Sequence, residues 1–156
     1  IAKNGGKGVR TKVGHSYIKA EMRNHNAVFA GESSGHYYFR DNLMADSGLI
    51  AALVALQVLS ASGKPLSALA EEFTKYYHIP ETNFVVENKQ EIIDSIANNF
   101  KDNKQDTLDG LTVWFDNAWV NIRPSNTESI LRLNAEAKSS SELDSIVAKV
   151  TKLISS

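Results

Sequence analysis

Two short stretches concentrate more chemistry than a turn requires. GESSGH (residues 31–36) sets a carboxylate, two hydroxyls and an imidazole between two glycines. RPSNTES (residues 123–129) brings a guanidinium, several hydroxyls, an amide and a row of backbone N–H groups into one turn. The second set is the donor inventory of a phosphate site. Arg123 offers a planar fork to two phosphate oxygens, and Ser125, Asn126 and Thr127 add neutral donors. A loop between strands can aim several N–H groups at one point. The competing reading is a polar hairpin turn, because Pro, Ser, Asn and Thr all favour turns. In the first set, Glu32 can accept from two adjacent sugar hydroxyls and Ser34 can add a hydrogen bond. His36 can move a proton near neutral pH. Here the competing reading is a Gly-rich turn leaving a strand. His15 is a third candidate: it follows Gly14 and opens a helix, where anions are favoured. A surface histidine beside a cap is the alternative.

These side chains need elements to hold them. GVRTKV (residues 8–13) predicts a short strand, HSYIKAEMRNHN (residues 15–26) a helix with Tyr17, Ile18 and Met22 at helical spacing, and AVFAGE (residues 27–32) a buried strand. Strand, helix, strand is the βαβ pattern of a parallel sheet, whose strand ends are where ligands bind. Glu32 and His15 both fall after such strands. YYFRDN (residues 37–42) reads as an extended segment packing its aromatics inward. Asp46 and Ser47 offer caps to an apolar helix over residues 48–60, read as buried inside the protein. Gly63 stops it, and Pro65 starts a helix over residues 65–77 with Tyr76, Tyr77 and His78 at its end.

A linker is predicted at residues 77–83, around Pro80. Beyond it FVVE (residues 84–87) reads as a strand and KQEIIDSIANNF (residues 89–100) as an amphipathic helix with Ile92, Ile93, Ile96 and Phe100 on one side. LTVWF and WVNIR flank a hairpin turn at Asp116-Asn117-Ala118. ILRLNAEA (residues 130–137) alternates, with Leu131, Leu133, Ala135 and Ala137 on one face. Ser139 and Glu142 form a capping box before a last helix carrying Leu143, Ile146, Val147, Val150, Leu153 and Ile154. The fold class expected is an α/β partial domain (βαβ, incomplete parallel or mixed sheet) over residues 1–79. A small α+β domain, an antiparallel sheet with two helices, follows over residues 80–156. TLDG (residues 107–110), with Asp106 before it, hints at a metal loop but lacks a third carboxylate and reads as a turn.

Composition narrows the function classes. Hydrophobic residues make up 42 % of the 156, enough for a core. The net charge of −1, with acids and bases interspersed, argues against nucleic acid. With no cysteine, disulfides and thiolate metal sites are excluded, and the four histidines match no metal motif. No metal site is expected in this chain. GLIAALVALQVL (residues 48–59) is too short for a bilayer, which needs ~20 residues. No signal peptide or lipidation motif is seen, so a soluble, cytoplasmic protein without a membrane partner is expected. The opening IAKNGGKGVRTKVGHS, without Met, reads as a cut through a domain.

TKVGHSYIK, GESSGH, the apolar helix, TLDG and RPSNTESILRLNAEA follow one another as in the C-terminal part of the α-D-phosphohexomutases. The chain resembles that family, which includes phosphomannomutase and phosphoglucomutase, over almost its whole length. The resemblance implies an enzyme interconverting hexose 1-phosphate and hexose 6-phosphate through a glucose or mannose 1,6-bisphosphate. It implies four domains, with a phosphoserine in domain one and Mg²⁺ held by three Asp in domain two. Neither of those motifs lies in this sequence. Residues 1–79 are then the later half of domain three and residues 80–156 are domain four, with the N-terminal domains as partners; alone, the fragment is expected to be inactive. Carried over, Glu32 and Ser34 match the loop gripping the 3- and 4-hydroxyls. His36 and His15 would lie near the substrate and assist proton transfer, and Lys12 would line the cleft. Arg123, Ser125, Asn126 and Thr127 match the loop for the non-reacting phosphate, with Pro124 where some relatives have a small residue. GESSGH resembles the mannose or dual mannose/glucose type; the extra glutamine of phosphoglucosamine mutases is absent. A non-catalytic phosphosugar-binding module and a phosphoglucosamine mutase fragment are the alternatives.

Overall fold

The computed structural model describes residues 1–71 and 73–155. The chain divides into two compact units, Ile1–Ala70 and Glu71–Ser156, and each is taken by itself. In the first, helix α1 spans His15–His25. It buries Ile18 and Met22, one helical turn apart, against Tyr38. Tyr17, expected on the same stripe, lies half exposed. Strands β1 (Phe29–Gly31), β2 (Tyr37–Phe39) and β3 (Ala45–Asp46) form an antiparallel meander in the order β1-β2-β3. A 3₁₀ turn, Arg40–Asn42, joins β2 to β3.

Three expectations for this unit are corrected. The strand read as buried over residues 27–32 is β1, and Val28, Phe29 and Gly31 are exposed. Residues 8–13 form no strand. Val9 and Val13 are exposed, and among the described residues no strand ladder includes this stretch. An apolar alternating run becomes a strand only when a neighbour satisfies its backbone groups. The order seen is extended segment, helix, strand, with antiparallel pairing after it. The third correction concerns the apolar helix. It is present as α2 (Gly48–Ser62), with the Ser47 hydroxyl accepting from the Ile50 N–H (3.2 Å) and Gly63 closing it at φ 62°. No residue of it is buried, and Leu49 is 72 % exposed. A helix apolar all round needs cover on every side. No described element supplies it. Beside α2 lies an open apolar groove lined by Phe29, Tyr37, Phe39, Ala51 and Val54.

Helix α3 covers Leu66–Glu71 after Pro65. The helix expected to run to Tyr77 is corrected as well: Tyr77–His78 is strand β4, paired with β9 through Tyr77↔Ala137 and His78↔Glu136. Thr74, Tyr76 and Tyr77 are β-branched or aromatic, types that favour a pleated edge.

The second unit follows its periodicities closely. Its elements are β5 (Thr82–Val85), α4 (Lys89–Asn99), β6 (Lys104–Asp106), β7 (Leu111–Trp114), β8 (Ala118–Pro124), β9 (Ile130–Ala137) and α5 (Ser140–Ile154). The sheet runs β4-β9-β8-β7-β6, with β5 also on β9, and every pair is antiparallel. Strand β6 went unseen in the sequence, since Lys104, Gln105 and Asp106 are polar. Strand β9 buries Leu131, Leu133, Ala135 and Ala137, and β8 buries Ala118, Val120 and Ile122. Onto that face pack Ile93 and Ile96 of α4 and Leu143, Ile146, Val150 and Ile154 of α5. Each such side chain contributes about 1.5–3 kcal/mol on burial. Ser139 accepts from the Glu142 N–H (3.3 Å) at the start of α5. Period 2 then decides the site. With Val120 and Ile122 inward, Arg123 follows on the other side, directly opposite Arg132 in the ladder.

Candidate functional site

In the first unit, residues 32–36 turn tightly between β1 and β2. Gly35 N–H donates to the Glu32 carbonyl (3.0 Å) and Glu32 N–H to the His36 carbonyl (2.9 Å), with Gly35 at φ 85°. The turn brings three sequence candidates together: His15, Glu32 and His36 each offer a ligating atom within 4.8 Å of the other two. Ser34 is exposed in the turn. The Lys12 ammonium lies 5.8 Å from the Tyr17 ring centroid.

Glu32 is not an open acceptor. Its Oε1 takes the N–H of Gly14 (3.1 Å) and its Oε2 takes the hydroxyl of Tyr38 (2.7 Å). Both oxygens keep a second lone pair for a ligand hydroxyl. Tyr38 is fully buried. Burial first, then the bond to Glu32 and the charges of Glu32 and Asp46, push its phenol well above the usual range. It therefore stays a donor to Glu32, and the carboxylate is oriented before any ligand arrives.

Sequence reading missed Asp46, which it treated as a cap. Asp46 Oδ2 lies 3.0 Å from His36 Nδ1 and Oδ1 lies 3.8 Å from His15 Nδ1. The two imidazoles meet edge-on, with centroids 4.9 Å apart. The bond to His36 is the main cause holding the Asp46 carboxyl below its ordinary value. A carboxylate with a depressed pKa adds stability above the unfolded pKa and loses it as pH falls through the folded one. The Asp46–His36 bond is thus expected to persist at neutral pH and to break only in acid below the ordinary aspartate range. An acid titration followed by NMR of the first unit checks this; breakage near neutrality would contradict it.

The second cluster lies at the β8–β9 loop of the second unit. Arg123 Nη2 stands 3.7 Å from Glu81, and its Nε 3.8 Å from Asp109. Both distances are too long for strong hydrogen bonds, so the fork keeps donors for a ligand. Ser125 is 7 % exposed. Its Oγ accepts from the N–H groups of Glu128 (3.2 Å) and Thr127 (3.4 Å), so it shapes the loop and retains one O–H to donate. Asn126 and Thr127 are exposed. Ser125 N–H donates to the Ile130 carbonyl (3.0 Å) and closes the loop.

Two further residues escaped sequence reading. Lys89, first residue of α4, donates from Nζ to the carbonyls of Ser125 (2.8 Å) and Glu128 (2.9 Å). Its signal was a basic residue at a helix start, where the dipole favours acids. Arg132 bonds Glu81 Oε1 through Nη1 (3.4 Å), while Glu81 Oε2 faces Arg123. One carboxylate thus sits between two like charges paired across the ladder, which would otherwise repel. The decoy at residues 107–110 is a bend: Asp106 accepts from the Leu108 N–H (3.3 Å) and the Trp114 indole N–H (3.0 Å).

No helix of the described residues is long and apolar enough to cross a membrane. The set His15, Glu32 and His36 is nitrogen-rich and does not fit Mg²⁺, which takes oxygen ligands in an octahedron.

Family models match both parts of the chain. Residues 1–77 match "Phosphoglucomutase/phosphomannomutase, alpha/beta/alpha domain III". Residues 81–153 match "Phosphoglucomutase/phosphomannomutase, C-terminal domain". A phosphomannomutase of Methanocaldococcus jannaschii is 41 % identical over 99 % of this chain and 34 % of its own length. A phosphoglucosamine mutase of Methanococcus maripaludis is 35 % identical over 86 % of this chain and 31 % of its own. A crystal structure of a phosphoglucomutase/phosphomannomutase family protein from Burkholderia thailandensis superposes with a TM-score of 0.84 at 31 % identity, covering 97 % of this chain and 33 % of that one. The chain spans about a third of the length of the curated relatives it matches.

Proposed function

Because the chain belongs to the phosphoglucomutase/phosphomannomutase family, we propose that it is the substrate-gripping part of a phosphohexomutase acting on mannose and glucose phosphates. The proposal assigns residues 1–79 to the later half of the third domain and residues 80–156 to the fourth. The Arg123 loop holds the phosphate that is not being transferred. Glu32 and Ser34 hold the 3- and 4-hydroxyls, His15 and His36 lie beside the sugar, and Lys12 borders it. The observation that carries this reading is the Arg123 fork, held off its carboxylates by 3.7 and 3.8 Å beside a loop already folded around Ser125. A preorganised set of donors is what phosphate positioning requires.

A hexose 1,6-bisphosphate must present each end in turn to one phosphoryl-transferring group. A clamp on one phosphate and on the 3- and 4-hydroxyls serves both orientations. Mg²⁺ would supply charge stabilisation of the transferred phosphoryl group. It would be held outside these residues, because the donor set here does not fit it. The uncovered faces of α2 support seating against a remainder of the same protein. Relatives named phosphoglucosamine mutases make an amino sugar the second reading.

Amide NMR of the 156-residue chain tests the proposal. Mannose 1-phosphate and glucose 1-phosphate are each expected to move residues 123–129 and 31–36, with affinities within about tenfold, or ~1.4 kcal/mol. The grip does not touch carbon 2, where the two sugars differ. Inorganic phosphate should move residues 123–129 alone, and the chain should show no mutase turnover. Shifts that avoid residues 123–129 would refute the phosphate assignment; a much larger preference would mean that another residue reads carbon 2.

A further inference from the structure

We infer that Asp46 is the positioning residue for His36, beside His15, holding the His36 Nδ1 atom and leaving its Nε2 atom to meet the ligand. The carboxylate bonds one ring and faces the other: Oδ2 meets His36 Nδ1 at 3.0 Å, and Oδ1 lies 3.8 Å from His15 Nδ1, too far for a hydrogen bond. An ionised carboxylate only accepts, so His36 Nδ1 carries a proton, and in the neutral ring Nε2 presents the lone pair. That is the tautomer needed to accept a hydrogen bond from a sugar hydroxyl.

The groups facing His36 are His15 from α1, Glu32 from the turn after β1 and Asp46 from β3, and the Tyr38 ring of β2 meets His15 edge-on. Glu32 is oriented instead by the Gly14 N–H and the Tyr38 hydroxyl, whereas the Asp46 carboxylate reaches an imidazole nitrogen at 3.0 Å. Asp46 is itself fixed on both sides. Its backbone pairs with Tyr38 in the β2–β3 ladder. The next residue, Ser47, donates its N–H to the Tyr37 carbonyl (2.9 Å) and caps α2. The carboxylate therefore arrives at the rings from a braced backbone, as an orienting partner must.

The inference rests on the proposed function only in taking the ligand to be a sugar hydroxyl; the tautomer does not depend on any ligand. Long-range ¹H–¹⁵N spectra of the full 156-residue chain read it directly. Wild-type His36 is expected in the Nδ1–H form, Asp46→Asn should move it to the Nε2–H form that a free imidazole prefers, and Asp46→Glu should restore part of the Nδ1–H population. Mannose 1-phosphate should bind Asp46→Asn at least fivefold more weakly, while inorganic phosphate binds as before. A wild-type His36 in the Nε2–H form, or a tautomer unmoved in Asp46→Asn, overturns the inference. If Asp46→Asn loses the amide pattern of Ser47 to Ile50, the wild-type tautomer and Asp46→Glu decide. A tautomer change without any sugar phosphate binding would leave Asp46 as the orienting group and refute the substrate instead.

Discussion

Alanine at Gly110 is expected to destabilise the second unit by about 2–5 kcal/mol, combining a left-handed backbone penalty of ~1–2 with an overpacking term of ~1–3. Gly110 sits at φ 71°, where a side chain is strained whatever the space. A Cβ there would also collide with the Ile122 carbonyl oxygen and fall 2.8 Å from the Arg123 Cα. Those are backbone atoms of β8, so β7 and β8 must part for the methyl to fit. Urea unfolding read by tryptophan fluorescence measures the loss, and both tryptophans, Trp114 and Trp119, lie in this sheet. Asn121 should move too, because its amide donates to the Asp109 carbonyl at 2.9 Å. A loss below about 1 kcal/mol would show that the turn relaxes freely and that Gly110 does not set the approach of β7 to β8.

Arg123→Ala is expected to weaken phosphate binding at least tenfold and to lower the catalytic efficiency of a full-length enzyme by a similar factor. A hydrogen bond to a charged partner is worth ~1.5–3 kcal/mol, which is roughly 10- to 150-fold. The fold should survive. Arg123 is partly exposed and lies off the core face, and Arg132 still neutralises Glu81 through the 3.4 Å bond. Arg123→Lys keeps the charge and loses the fork, so an intermediate loss is expected. Titration of the chain with inorganic phosphate measures the effect. A change under twofold with the amide spectrum intact would remove Arg123 from the phosphate site.

The contrast between the two units shows why part of the fold was legible. Leu131, Leu133, Ala135 and Ala137 alternate, and Leu143, Ile146, Val150 and Ile154 recur at helical spacing, so each pattern names its own buried face. Ser47, Gly63 and Ser139 act on neighbours three residues away or on their own φ, which a local reading captures. Residues 8–13 and 74–78 failed for the opposite reason. Whether an apolar stretch becomes a strand depends on a partner distant in sequence. Tyr77–His78 joined a ladder with β9, and residues 8–13 joined no ladder among the described residues.

The site divides in the same way. The residue types of GESSGH and RPSNTES named the carboxylate, the imidazole and the arginine that the structure places at two loops, because donor and acceptor chemistry belongs to the side chain alone. Which of those groups are already engaged was decided by tertiary structure. Tyr38 and Gly14 hold Glu32, Asp46 holds His36, and Lys89 braces the loop from a helix start 36 residues before Ser125. Sequence determined the helix and strand periods, the caps and the inventory of polar groups. Only tertiary structure decided their pairing and orientation, because hydrogen bonds and ion pairs require contact within a few ångströms, and no local spacing encodes which distant residues will meet.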